Sequence, residues 1–157
     1  MKQCLLILIA CVAMTSYSHA QTESGTILLG GDATFQAFDG GSSFSASPRV
    51  GIFVLDDVVL GAGFSLYTTK GTSQWALGPF IRLYLFGNEK GKMIVQSGFN
   101  VGGAKNTDTD FGFDIGAGYA FFLNESIAVE LLGNYIKTGN SKGIFTMGAG
   151  FQIHYRR

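Results

Sequence analysis

The sequence predicts an all-β fold, an eight-stranded antiparallel up-and-down transmembrane β-barrel, on three observations. Between Gly25 and Tyr155 the chain passes through eight runs in which large apolar residues alternate with small or polar ones. That two-residue period belongs to a strand, whose successive side chains point to opposite faces. The six lysines beyond residue 20 (Lys70, Lys90, Lys92, Lys105, Lys137 and Lys142) fall between the runs or at their ends. The face opposite the apolar one is mostly Gly, Ser, Thr, Asn and Gln, where a soluble sheet would carry Lys and Glu. Closed on itself, such a sheet turns its apolar side to lipid.

The first twenty residues read as a secretory signal. Lys2 supplies the positive start, residues 5–12 the apolar stretch, and Ser18-His19-Ala20 a small-x-small cleavage site. The apolar stretch falls short of the roughly 20 residues a membrane-spanning helix needs. Leu8-Ile9-Ala10-Cys11 offers a rival lipoprotein reading, but cutting there would discard most of the apolar stretch. Cleavage after Ala20 leaves residues 21–157 as one barrel domain. Both cysteines, Cys4 and Cys11, lie in the signal, so the mature chain offers no disulfide, thiolate metal site or cysteine nucleophile. His154 is its one histidine. Ten basic against eleven acidic residues give no reason to expect nucleic acid as a partner.

Turn chemistry separates the runs. Run one, 26–38, ends at Asp39-Gly40-Gly41, and run two, 44–55, at Asp56-Asp57. Run three, 58–68, meets Thr69-Lys70-Gly71, and run four, 74–86, meets Gly87-Asn88-Glu89. Run five, 92–102, leads into the polar stretch 104–110, and run six, 111–123, turns at Asn124-Glu125. Run seven, 126–136, meets 137–143, and run eight is 144–155. Lengths near eleven suit tilted strands crossing a thin apolar layer. Gaps after runs two, four and six are compact and the later alternating ones are looser. Turns therefore gather at one end, with both termini facing the periplasm, and loops at the other.

Parity along the runs sorts the residues. The apolar face carries aromatics near run ends, among them Phe44, Trp75, Phe111, Tyr119, Phe121, Tyr135 and Tyr155. These fit an interfacial girdle, whose amphipathic rings sit at headgroup level; the alternative is the core of a soluble sandwich. Five charges share the inward parity: Asp32, Arg49, Arg82, Asp114 and Glu130. Isolated charges there would be costly, so the expectation is a luminal salt-bridge network around Arg49 and Arg82, with Asp114 somewhat higher. Such a layer can be a polar path for small solutes or filling that closes the barrel, and filling suits the narrow interior of eight strands. Pro48 and Pro79 conflict with a closed ladder, in which a proline cannot donate. A bulge or an early loss of pairing is expected at each.

At this point the chain resembles the small outer-membrane β-barrel family of the OmpX type and the OmpA transmembrane domain, in the form common in Bacteroidota. Phe44-Ser45-Ala46-Ser47-Pro48-Arg49-Val50-Gly51-Ile52-Phe53-Val54 followed by Asp56-Asp57-Val58-Val59-Leu60-Gly61 is similar to that family's Pro-x-x-Gly-x-Phe strand, short acidic turn and glycine-bearing strand. Leu77-Gly78-Pro79-Phe80-Ile81-Arg82-Leu83-Tyr84 resembles its fourth strand, and Ser126-Ile127-Ala128-Val129-Glu130 the start of its seventh. Phe151, Ile153 and Tyr155, continuing Phe145 and Met147, resemble the C-terminal signal read by the barrel-assembly machinery; Arg156 and Arg157 follow where the family usually ends on an aromatic. The resemblance covers the mature chain and implies architecture rather than activity.

Chemistry-bearing patterns are sparse. His154 falls inside near the periplasmic end with no serine at useful spacing, so it reads as filling or interfacial rather than catalytic. Asp108 and Asp110 are a weak calcium pair on a loop that is more simply solvated. The expected protein is non-enzymatic, without cofactor or metal. It is a monomeric resident of outer-membrane lipid whose structural or surface role is exercised through loops 39–43, 69–73, 104–110 and 137–143. A narrow solute channel and a soluble secreted ligand-binding barrel are the alternatives.

Overall fold

In the computed structural model the chain is described over residues 21–38, 41–104, 109–139 and 143–156. Eight strands appear: β1 (Ile27–Phe38), β2 (Gly41–Leu55), β3 (Val58–Thr69), β4 (Thr72–Asn88), β5 (Gly91–Ala104), β6 (Asp110–Phe122), β7 (Ile127–Thr138) and β8 (Ile144–Tyr155). Each pairs antiparallel with its sequence neighbours, and β8 returns to β1 to close the barrel. The alternation sets this up directly: outward positions such as Val50, Leu60, Leu77, Ile115 and Leu131 are exposed on the outer wall, while their neighbours in the strand face the lumen. No helix among the described residues is long and apolar enough to cross a membrane.

The turn end is tight. Asp57 takes a left-handed conformation (φ 64°) between β2 and β3, a geometry that Asp tolerates better than most residues. A two-residue turn also joins Asn88 to Gly91. The loop end is tighter than the sequence suggests, because strand pairing climbs into the expected loops. β2 begins at Gly41, and Thr69 pairs with Thr72, so 69–73 is a hairpin turn around Gly71 (φ 89°). The polar residues there extend the ladder because backbone pairing asks nothing of side-chain polarity.

Lysine also reaches further into the wall than its spacing suggests. Lys92 is a buried member of β5, and Lys137 lies within β7 opposite Phe113. The prolines are accommodated without a register change. Ladder pairs between β2 and β3 stop at Ala46–Leu66 and resume at Arg49–Gly63, skipping Pro48. Those between β4 and β5 stop at Leu77–Val101 and resume at Phe80–Gly98, skipping Pro79. Pairing is interrupted rather than abandoned. The bulges lie elsewhere, at Val54 and Phe86, where the registers shift between Phe53 and Leu55 and between Leu85 and Gly87.

Closure is uneven. β1 pairs with β8 only where 27–31 meet 151–155. Above that point 32–38 pair with β2 alone and 144–150 with β7 alone. The fork stands at Gly31, whose φ of 146° is reserved to glycine and whose added Cβ would meet the Ser47 carbonyl oxygen at 2.5 Å.

Candidate functional site

The lumen is where the charged residues converge, and it divides into two parts. Toward the turn end it is a packed stopper. Leu28, Phe53, Val59, Ile94, Ala120 and Ala128 are buried there around the rings of Tyr84 and His154. The Phe53 ring centroid lies 5.5 Å from those of both Tyr84 and His154, and Phe122 meets His154 edge-on at 5.5 Å. Phe80 also points inward, and Gly61 makes room for it, since an added Cβ would sit 2.6 Å from the ring. Such filling is what the width of an eight-stranded barrel permits.

A polar network crosses this stopper. Arg49 donates through one guanidinium nitrogen to Asp32 at 2.8 Å and through the other to Glu130 at 2.9 Å. Arg82, 1% exposed, donates to the second Glu130 oxygen at 2.9 Å and to Gln96 Oε1 at 3.0 and 2.7 Å. Gln152 donates to that same Glu130 oxygen and accepts from the Tyr84 hydroxyl at 2.6 Å. Its carbonyl oxygen also meets His154 Nε2 at 3.0 Å. The Arg82 guanidinium lies 5.8 Å from the Phe80 ring centroid. Glu130 on β7 thus receives donors from β2, β4 and β8, across the lumen rather than along one sheet. A carboxylate this buried is tolerable because every neighbour donates to it.

The chain ahead of β1 seals the turn end. His154 Nδ1 sits 2.6 Å from the Gln21 carbonyl oxygen. Asp57 N donates to the Thr22 carbonyl, and Gly25 N to the Phe53 carbonyl, each at 2.8 Å. Lys92 Nζ reaches Asp57 at 2.5 Å and the Thr22 hydroxyl at 2.8 Å, forming a second buried ionic cluster. Nearby, Arg156 pairs with Glu23.

Above Arg49 the lumen is an open cup. Inward positions Ser65, Thr146 and Gly148 are exposed, and a Cβ built on Gly148 would meet nothing within 4 Å. Asp114 faces this space beside Gly98 and is not joined to the network, which corrects its grouping with Asp32, Arg49, Arg82 and Glu130. The physical reason is height: it lies opposite Gly98, beyond the level at which Gln96 meets Arg82.

The aromatics expected to form a girdle lie on the outer wall. Phe44, Trp75 and Tyr135 are exposed toward the loop end, and Tyr155 is exposed at the turn end. Tyr119, also near the turn end, is half-buried against Phe121 at 4.6 Å between ring centroids. Phe151, Ile153 and Tyr155 face outward from the part of β8 that closes on β1. Asp108 lies outside the described residues, and among the described ones no cluster of three or more metal-ligating side chains occurs.

Sequence reasoning missed Gln96, Gln152 and Tyr84 as network members, and Lys92 with Asp57 and Thr22 altogether. Gln96 and Gln152 carry the inward parity, and Tyr84 follows Arg82 by one strand period, so the signal was present for those three. Lys92 stood at a run boundary, where a lysine is ordinarily solvated.

The fold has solved counterparts. The N-terminal β-barrel domain of Pseudomonas aeruginosa OprF matches with a TM-score of 0.63 at 18% identity, covering 85% of this chain and 98% of that one. Neisserial surface protein A matches with a TM-score of 0.63 at 12% identity, over 83% of this chain and 96% of that one. The outer membrane protein OprG from Pseudomonas aeruginosa matches with a TM-score of 0.61 at 11% identity, over 88% and 99%. At these identities the likeness is one of fold. No protein-family model and no curated protein sequence matches the chain.

Proposed function

We propose that this chain is an integral outer-membrane β-barrel protein, non-enzymatic and non-conducting, with a structural or surface-facing role. The observation that carries the reading is the stopper: Arg82, Glu130, Tyr84, Gln152 and His154 are buried together across the lumen, and residues 21–26 fold over its turn end. Support for the membrane setting comes from the outer wall, where exposed apolar side chains run from Ile27 and Tyr155 at one end to Phe44 and Trp75 at the other. The soluble-barrel alternative would place that wall in water. Residues 1–20 act as the export signal in this reading, and Phe151, Ile153 and Tyr155 as the assembly signal. With 69–73 reduced to a hairpin turn, a surface role falls to loops 39–43, 104–110 and 137–143.

Outer-membrane fractionation with heat-modifiable gel migration tests the setting, and planar-bilayer recording tests the stopper. The expected result is a heat-modifiable membrane protein that gives no unitary current steps. Recovery in the soluble fraction overturns the membrane reading, and reproducible steps overturn the closed lumen.

A further inference from the structure

The segment ahead of β1 enters the turn end with Gln21 and Thr22, which are buried, while Ser24 and Gly25 behind them are exposed. The Gln21 backbone carbonyl accepts from His154 Nδ1 at 2.6 Å. The Thr22 hydroxyl donates to Asp57 at 2.5 Å and accepts from Lys92 Nζ at 2.8 Å, and the Thr22 carbonyl accepts from Asp57 N. All of these partners belong to the barrel, so they hold residues 21 and 22 whatever precedes them. The Gln21 side chain is held differently. Its Oε1 is buried without a hydrogen-bond partner, so the amide loses no bond at that oxygen if it reacts.

Cleavage after Ala20, the export reading proposed above on which this inference rests, makes Gln21 the first residue of the mature chain. A free α-ammonium would then enter the turn end, because covalent geometry keeps the α-nitrogen beside its own carbonyl group. A buried cation is costly without a matched anion. Asp57, the carboxylate that Thr22 touches, is already matched by Lys92, and His154 already turns its two ring nitrogens to oxygens of Gln21 and Gln152. We propose that Gln21 is a modification site, closed to an N-terminal pyroglutamate lactam, and that this uncharged end is what occupies the turn end. The α-amine attacks Cδ of the side-chain amide. A bond forms between the α-nitrogen and Cδ, the Cδ–Nε2 bond breaks, and ammonia leaves with one proton from the α-amine. No oxidant or further reactant is consumed. Closure precedes folding of the barrel, while amine and amide are both accessible. The lactam loses the terminal charge and keeps the backbone carbonyl that His154 uses.

The test starts from the unmodified protein purified from native membranes. Reductive dimethylation of the denatured protein, before any digestion, labels every free amine. A dimethylated α-amine cannot close a lactam, so ring closure during digestion does not enter the result. Chymotryptic peptides are then read by mass spectrometry, with Gln21→Ala from the same cells as the labelling control, since it has no side-chain amide to close. Seating is read separately on one sequence in two forms. The mature chain is prepared with free Gln21, one half is closed with glutaminyl cyclase, and both halves are refolded in detergent. Protease cleavage within residues 21–26 is then timed.

The expected peptide starts at residue 21, carries no α-amine label and is lighter than the glutamine form by one ammonia, while the control is labelled at residue 21. The closed form should be cut within 21–26 several-fold more slowly than the open one. A peptide that starts at Gln21 and carries the label overturns the proposal and leaves the cleavage reading standing. One that starts at another residue overturns the cleavage reading and the proposal with it, so the two failures are distinguishable. Equal cleavage of the open and closed forms overturns the seating of the uncharged end.

Discussion

The turn-end and loop-end halves of this barrel are made from the same strands and behave as different materials. Below Arg49 the lumen is a stopper of buried apolar side chains and paired charges, and β1 closes on β8. Above it inward Ser65, Thr146 and Gly148 are exposed, and among the described residues the β1–β8 ladder runs no further than Gly31–Phe151. The difference lies in side-chain volume. β4 places Phe80, Arg82 and Tyr84 inward below, whereas Gly148, Ser65 and Thr146 line the space above. Large inward residues tie opposite walls together across the lumen. Small ones leave each wall dependent on its own ladder.

If this division is right, substitutions should cost stability according to the half they touch. Glu130→Ala is expected to have the largest effect, about 3–5 kcal/mol, because it leaves the buried Arg82 guanidinium without a carboxylate and Arg49 with Asp32 alone. Urea unfolding of the refolded barrel in detergent, followed by heat-modifiable migration, measures it. An effect under about 1 kcal/mol would show that water compensates the arginines and that the stopper is looser than its burial implies. Lys92→Met comes next, at about 1–3 kcal/mol, since Asp57 and Thr22 would lose their buried donor. Protease cleavage of the segment ahead of β1 should rise in parallel.

Tyr84→Phe should cost about 1 kcal/mol in the same unfolding assay, by removing one hydrogen bond to Gln152 while keeping the ring. A cost close to that of Glu130→Ala would make the hydroxyl an organising member of the network rather than a peripheral one. Thr146→Ala, in the open cup, should stay within about 0.5 kcal/mol of the parent. A large loss there would erase the distinction between the halves.

How far the sequence foretells each half follows from what determines it. Strand existence and facing follow from residue alternation, which is local, so all eight strands and the inward parity of Arg49, Arg82 and Glu130 are legible. Arg82 meeting Glu130 was arguable because a buried charge needs a partner and few were on offer. The Lys92–Asp57–Thr22 cluster was not legible. It depends on residues 21–26 folding back over the turn end, a long-range contact that leaves no periodic trace. Loop lengths were overestimated because Thr69 and Thr72 look like loop residues yet pair as strand. The end of the β1–β8 ladder at Gly31 was hidden for a different reason: a glycine in a strand announces only that something unusual is allowed.

Residue-resolved amide hydrogen exchange in lipid nanodiscs addresses the two-half architecture most directly. Amides of 27–31 and 151–155 that point across the β1–β8 seam should be among the slowest to exchange, and those of 33–37 and 145–149 that point the same way among the fastest within any strand. Uniform protection along the whole length of β8 would contradict the division, showing the barrel to be closed from end to end.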